Sequence, residues 1–168
     1  MELVSRMMDG SIGGPPDADS RPQGAPAKRG QDEKMTYLQR VHLFEACSSR
    51  QLRASARIAD VQEVPAGEVL ARTGEPGDRF FVIVDGSARV EVSPQNQGHM
   101  GPGAFFGEIS LLDGEPRSAT VVAETAMRLL IIRRRDFVTL LREVPSLTQL
   151  MLITLCQRLR SAEKALNG

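Results

Sequence analysis

The sequence predicts a mainly β fold, a sandwich or roll, flanked by helices. Three observations carry that reading. Between Val61 and Arg133, turn residues recur at Pro65 and Gly67, Gly74 and Gly77, Asp85 and Gly86, Gly101 and Gly103, and Gly114 and Pro116. Punctuation at intervals of about ten residues is the rhythm of short strands joined by tight turns. Val90 and Val92 alternate with Arg89 and Glu91, the period of a strand with one dry and one wet face. On either side of this stretch the apolar spacing becomes helical.

The elements follow in order. Residues from 9 to 30 are rich in Gly, Pro, Ser and Asp and poor in large apolar side chains. Such a stretch cannot offset its ordering entropy. Residues 1–34 are therefore expected to form a disordered tail, with a brief helix from Met1 to Met8 and a solvated charge pair at Lys28 and Arg29. Order is expected from residue 35, and the domain runs over 35–168. Met35, Leu38, Val41, Leu43 and Phe44 give a first helical spacing. Ser48, with Gln51 three residues on, is a capping box for a second helix that would bury Leu52, Ala56 and Ala59.

The β stretch occupies about residues 61–133, with strands around Val90, from Val121 to Ala123 and from Leu129 to Ile132. Helical spacing returns over 136–143, where Phe137, Leu140 and Leu141 are apolar. Pro145 breaks that pattern and suits the first turn of a last helix. Leu147, Leu150, Met151, Leu155, Leu159, Ala162 and Leu166 then make one stripe along it, with Leu152, Ile153 and Cys156 beside it. Either the whole width packs on the β domain, or one side covers a ligand and the other meets a partner.

Composition narrows the classes. The chain has 168 residues, 41% of them hydrophobic, and zero formal net charge. This fits one globular domain with no global field toward nucleic acid or membrane. Cys47 and Cys156 are the only cysteines. They make no disulfide framework, so a reducing compartment is expected. Buried inert thiols are the expectation for them, a disulfide between them staying open. The first residues lack the apolar core of a secretory signal. Apolar runs such as Phe80 to Val84 are too short to cross a bilayer. A cytoplasmic protein without membrane association is expected.

The stretch with chemistry in it is Phe106-Gly107-Glu108-Ile109-Ser110-Leu111, followed by Arg117-Ser118-Ala119-Thr120-Val121. Gly107 permits a sharp turn and close backbone approach. The residues after it suit one helical turn whose free N–H groups face an anion. Arg117 adds a planar fork matched to two phosphate oxygens. Ionised Glu108 accepts from a sugar hydroxyl, and Ser118 donates to a phosphate oxygen. Ala119 is small enough for its own N–H to come near. The pattern reads as a socket for one phosphate and one sugar hydroxyl.

That pattern resembles the phosphate-binding cassette of the cyclic nucleotide-binding domain family. Gly67-Glu68-Val69-Leu70, Gly74-Glu75-Pro76-Gly77-Asp78 and Phe80 to Gly86 resemble the same family's strand-turn-strand signature. The resemblance covers roughly residues 35 to 168. It implies a jelly roll (double-stranded β-helix) with N-terminal helices and a C-terminal helix pair. The chain is similar to the effector domain of the bacterial catabolite activator family, without its DNA-binding domain. The implied ligand is a cyclic mononucleotide, cyclic AMP with cyclic GMP as the alternative, and no cofactor. By that resemblance Arg117 meets the phosphate. Ser118 and the N–H groups of Ile109, Ser110 and Ala119 bind its oxygens, and Glu108 takes the ribose 2′-hydroxyl. Phe80, Val82 and Val90 would hold the base. Ser118 follows the cassette arginine as in bacterial cyclic AMP regulators, where cyclic GMP binders often carry Thr. Those regulators supply base-contacting hydroxyls from the last helix, but Ala162 and Glu163 take those places here. Arg158 or Arg160 would then cap the base by stacking. The last helix would move onto the ligand, pair with a second copy, or meet an effector protein.

Three other classes compete. Direct DNA binding is not expected, because the chain ends at Gly168 without a helix-turn-helix and no recognition helix presents Arg133-Arg134-Arg135. An enzyme is not expected either. His42 and His99 give no metal triad, and no nucleophile-base arrangement is apparent. A degenerate roll that binds only another protein is the third alternative.

Overall fold

The computed structural model describes residues 27–167. Most of the expected tail, and the expected helix from Met1 to Met8, lie outside the described residues. Helix α1 (Ala27–Gln39) begins before the apolar periodicity does. Side-chain bonds hold its polar turns: Gln31 Nε2 donates to the Arg53 carbonyl at 2.8 Å, and the Tyr37 hydroxyl donates to Glu33. A 3-10 turn (His42–Phe44) then buries Leu43 and Phe44. Helix α2 (Ser49–Ile58) opens on the expected capping box, with Ser48 and Gln51 bonding each other's backbone N–H.

Eight strands follow: β1 (Ala59–Val64), β2 (Val69–Ala71), β3 (Arg79–Asp85), β4 (Ala88–Ser93), β5 (Asn96–Met100), β6 (Phe105–Phe106), β7 (Thr120–Ala123) and β8 (Met127–Arg133). They form two four-stranded sheets, ordered β1-β8-β3-β6 and β2-β7-β4-β5, with every pair antiparallel. Helix α3 (Glu108–Asp113) lies between β6 and β7, and α4 (Arg134–Glu143) and α5 (Pro145–Asn167) close the fold. The molecule is a β-roll with flanking helices.

β3 and β8 pair along their length, with Phe80 opposite Ile132 and Phe81 opposite Ile131. Both are covered on both faces, so they read as continuous apolar runs. One face carries Phe80, Val82, Leu130 and Ile132 into a core shared with Phe137, Leu140, Leu147 and Met151 of the closing helices. The other carries Phe81, Ile83, Leu129 and Ile131 into the roll, against Phe106 and Val121. Phe80 meets Phe137 with ring centroids 4.9 Å apart, and Phe81 stacks on Phe106 at 4.6 Å.

The last helix divides along its length. Leu147 and Met151 are buried, and Leu150 and Leu155 pack against the core. Leu159 and Leu166 are 60% and 86% exposed. The stripe read from sequence is therefore core only in its first half. Cys156 is exposed and Cys47 half-buried, both free, so the expected buried pair of thiols is corrected for Cys156. Among the described residues no single helix is long and apolar enough to cross a membrane.

Candidate functional site

The turn into α3 sets the geometry. Gly107 sits at φ +93°, a left-handed conformation that L side chains avoid. A Cβ there would fall 2.6 Å from the Arg79 carbonyl and 2.9 Å from Arg117 Nη1. A side chain at Gly77 would likewise fall on the Arg117 guanidinium. The two glycines thus clear a channel for that side chain.

Arg117 fills the channel. Its Nη1 donates to the Gly107 carbonyl and its Nη2 to the Arg79 carbonyl, each at 2.9 Å. Its backbone is tied to the turn before β3: Arg117 N–H donates to the Glu75 carbonyl, and Gly74 N–H donates to the Arg117 carbonyl, both at 2.8 Å. The guanidinium lies 5.9 Å from the Phe81 ring centroid. Only 8% of Arg117 is exposed. A guanidinium has five N–H donors, so this one is oriented by protein carbonyls and keeps donors for an anion. Burial pulls its pKa down, an effect that Asp78 and Glu108 oppose. Among the described residues no carboxylate forms an ion pair with it.

Glu108 pairs instead with the last helix. Its Oε1 accepts from Arg158 Nη1 at 2.8 Å, while Arg158 Nη2 donates to the Phe105 carbonyl at 2.6 Å. The Arg158 guanidinium also lies over the Phe105 ring, 4.6 Å from its centroid. Glu108 is 1% exposed, and its Oε2 has no hydrogen-bond partner among the described residues. Burial pushes the Glu108 carboxyl above the usual carboxylate range, while Arg158 and Arg117 draw it back. An unpartnered buried carboxylate oxygen is costly unless something donates to it.

All seven cassette residues predicted from sequence meet at one small cavity of about 100 Å³: Gly107, Glu108, Ile109, Ser110, Arg117, Ser118 and Ala119. Val90, Met100 and Arg158 share its wall. Of the three residues expected around a base, Val90 is there, but Phe80 and Val82 are not. Both point to the opposite side of β3, fully buried under the closing helices. Of the two arginines expected to cap the base, Arg158 reaches the cassette and Arg160 does not. The sequence places Gly77 in a turn but does not assign it to the site, and it carries no signal for the carbonyls of Arg79 and Phe105.

Beside the small cavity runs an open groove of about 990 Å³ between the β4–β5 hairpin and the distal half of α5. The two spaces share Val90 and Arg158.

Residues 61–144 match the family model described as the cyclic nucleotide-binding domain. The chain belongs to that family. A cyclic nucleotide-gated potassium channel of Mesorhizobium japonicum is 42% identical over 125 residues, 74% of this chain and 35% of the channel. The chain thus spans about a third of that relative's length. Among solved structures, Thermus thermophilus catabolite activator protein is 28% identical at TM-score 0.67, covering 74% of this chain and 61% of its own. The regulatory domain of Toxoplasma gondii PKA, co-crystallised with cAMP, shares the fold at TM-score 0.69 and 23% identity, covering 78% of this chain and 51% of its own. The matched range takes in the whole cassette from Gly107 to Ala119.

Proposed function

We propose that the domain binds cyclic AMP at the cassette and acts as a regulatory switch with no chemistry of its own. One observation carries this: at a single cavity, a carbonyl-oriented arginine lies beside a buried glutamate with one unpartnered oxygen. The arrangement suits an anion on Arg117 with the N–H groups of Ile109, Ser110 and Ala119, and a ribose 2′-hydroxyl on Glu108 Oε2. Ser118 lies on the same wall to donate to the phosphate. Holding Arg117 buried without its anion is unfavourable, so ligand occupancy stabilises the site. The C-terminal half of α5 is the moving part. The exposed Leu152 and Leu159 of α5 are where an effector, or a second copy, would be met.

The test is a calorimetric titration with cyclic AMP, then cyclic GMP, with Arg117→Ala as control. Micromolar or tighter binding, about −8 kcal/mol, is expected to be lost in the variant. Truncating one side of a buried charge contact costs on the order of 2–5 kcal/mol. No heat with either nucleotide would overturn the reading and favour the protein-binding alternative. Hydrogen exchange of α5 that is identical with and without saturating ligand would remove the switch.

A further inference from the structure

The run Arg133-Arg134-Arg135 has no part in the ligand contacts proposed for the cassette, and its place in the fold is unfavourable. It enters α4 at the N-terminal end, with Asp136 as the acid of that turn. A helix dipole favours cations at the other end. We infer that Arg134 is a positioning residue for the phosphate site: from the start of α4 it fixes the two walls between which Arg117 lies. The inference rests on the cyclic nucleotide reading of the cassette.

Arg134 is docked by both its backbone and its side chain. The backbone N–H donates to the Asp78 carbonyl at 2.8 Å. Nη2 donates to the Gly77 carbonyl at 2.8 Å and, more weakly, to the Ser110 carbonyl at 3.4 Å. Those two residues stand on either side of the Arg117 guanidinium. A Cβ at Gly77 would fall 2.4 Å from Arg117 Nε and 2.9 Å from Ser110 Cβ. Gly77 belongs to the turn before β3 and Ser110 to α3. One nitrogen of Arg134 therefore ties that turn to the cassette helix across the channel that Arg117 fills. The Ser110 carbonyl also takes the Gly114 N–H at the end of α3. The short helix is thus held at Glu108 by Arg158 of α5 and at Ser110 by Arg134 of α4.

Arg134 has no ion pair among the described residues. Its side-chain donors go to backbone carbonyls, as those of Arg117 do. Burial first, and then the charges of Arg79 and Arg134, pull the Arg117 pKa down. The two guanidiniums are therefore close enough to repel each other, and an anion at Arg117 relieves that repulsion. Both side-chain bonds of Arg134 leave from one nitrogen, so an ammonium with three donors can take them over. Arg117 reaches its two carbonyls with separate nitrogens, which an ammonium cannot do.

The test is calorimetric titration with cyclic AMP and cyclic GMP, beside ligand-free thermal unfolding, on Arg134→Met, Arg134→Lys and Arg135→Met. Arg134 is exposed, so Met keeps the stem and removes only the head group. Arg134→Met is expected to weaken cyclic AMP about tenfold, the effect of a binding group left loose by a fraction of an ångström. Arg134→Lys should bind within a factor of about three of the wild type, because it keeps both bonds. Arg135→Met removes a neighbouring charge and should leave affinity unchanged. Placed on Arg117→Lys, Arg134→Met should cost much less than it does alone, since no fork remains to be positioned. Wild-type affinity in Arg134→Met would overturn the inference. So would an equal loss in Arg134→Lys and Arg134→Met, or an equal loss with and without Arg117→Lys, which would show that Arg134 does not act through Arg117. Failure of the wild-type protein to bind either nucleotide would overturn the cassette reading and this inference with it.

Discussion

Arg158 and Glu108 are 50 positions apart in sequence and 2.8 Å apart in space. Their ion pair joins the helix that ends the fold to the turn that forms the cassette. Glu108 gives Oε1 to the helix and leaves Oε2 without a partner. A carboxylate has acceptor sites for both a guanidinium and a hydroxyl. A sugar hydroxyl on Oε2 would therefore not displace the helix but share its buried charge. Ligand and helix would each favour the other by acting on the same carboxylate.

Arg158→Ala is expected to weaken cyclic AMP binding about tenfold and to speed amide exchange in the distal half of α5. The same substitution made on Glu108→Gln should cost much less, because the shared charge is already gone. Coupling between residues in one network is about 0.5–3 kcal/mol. Calorimetry on the wild type, the single variants and the double variant measures it. Strict additivity would show that Arg158 acts on the ligand without Glu108.

Glu108→Gln separates stability from binding. Burial holds the Glu108 pKa above its ordinary value, so the folded state binds that proton more tightly than the unfolded chain does. The stability this contributes is complete below the unfolded pKa and is lost as pH rises through the folded one. As pH rises above the unfolded pKa, the carboxyl therefore becomes a net cost to the ligand-free domain. The amide keeps an acceptor for Arg158, so Tm without ligand is expected to be unchanged or higher, while affinity falls about tenfold. For the wild type, affinity should also decline as pH falls through the raised Glu108 pKa, because protonation removes the anionic acceptor. A lower ligand-free Tm in the variant near neutral pH would show that the Arg158 pair outweighs the desolvation of Glu108.

Arg117→Lys tests the fork rather than the charge. The guanidinium reaches the Gly107 and Arg79 carbonyls with separate nitrogens. An ammonium concentrates its donors on one atom and cannot span both carbonyls and an anion. Binding is expected to be weaker by about one to two orders of magnitude, the equivalent of roughly 1.4–2.8 kcal/mol. Affinity near that of the wild type would mean that Arg117 works as a point charge.

How much of this was legible in the sequence follows from how local each feature is. The cassette is one segment, with Gly107 and Arg117 ten positions apart, so its pattern survives as a motif. The faces of β3 are different. Burial on both sides leaves Phe80, Phe81, Val82 and Ile83 equally apolar, and no alternation says which of them faces the roll. That is why Phe80 and Val82, rather than Phe81, were expected near the ligand. β5 carries Asn96, Gln97, Gly98 and His99, which have no strand pattern; it forms because β4 offers it an edge. The Arg158–Glu108 pair needs the whole chain to fold before either partner is identifiable.

A pair of glycine substitutions separates backbone strain from crowding at the cassette. Gly67 and Gly107 both hold positive φ, +89° and +93°, but only Gly107 has atoms where a Cβ would go. Forcing a side chain into the left-handed region costs roughly 1–2 kcal/mol. Gly67→Ala is expected to lose about that much stability and to bind cyclic AMP normally. Gly107→Ala bears the same strain and must also move Arg117 Nη1 or the Arg79 carbonyl, 2.9 and 2.6 Å from the new atom. Its affinity should fall at least about tenfold, since a positioned group displaced by about 1 Å loses much of its effect. Denaturant unfolding gives the stability of each variant, and calorimetry gives its affinity. Equal affinities in the two variants would show that Arg117 adjusts freely, and the view of Arg117 as a group fixed in place by its two carbonyls would fall.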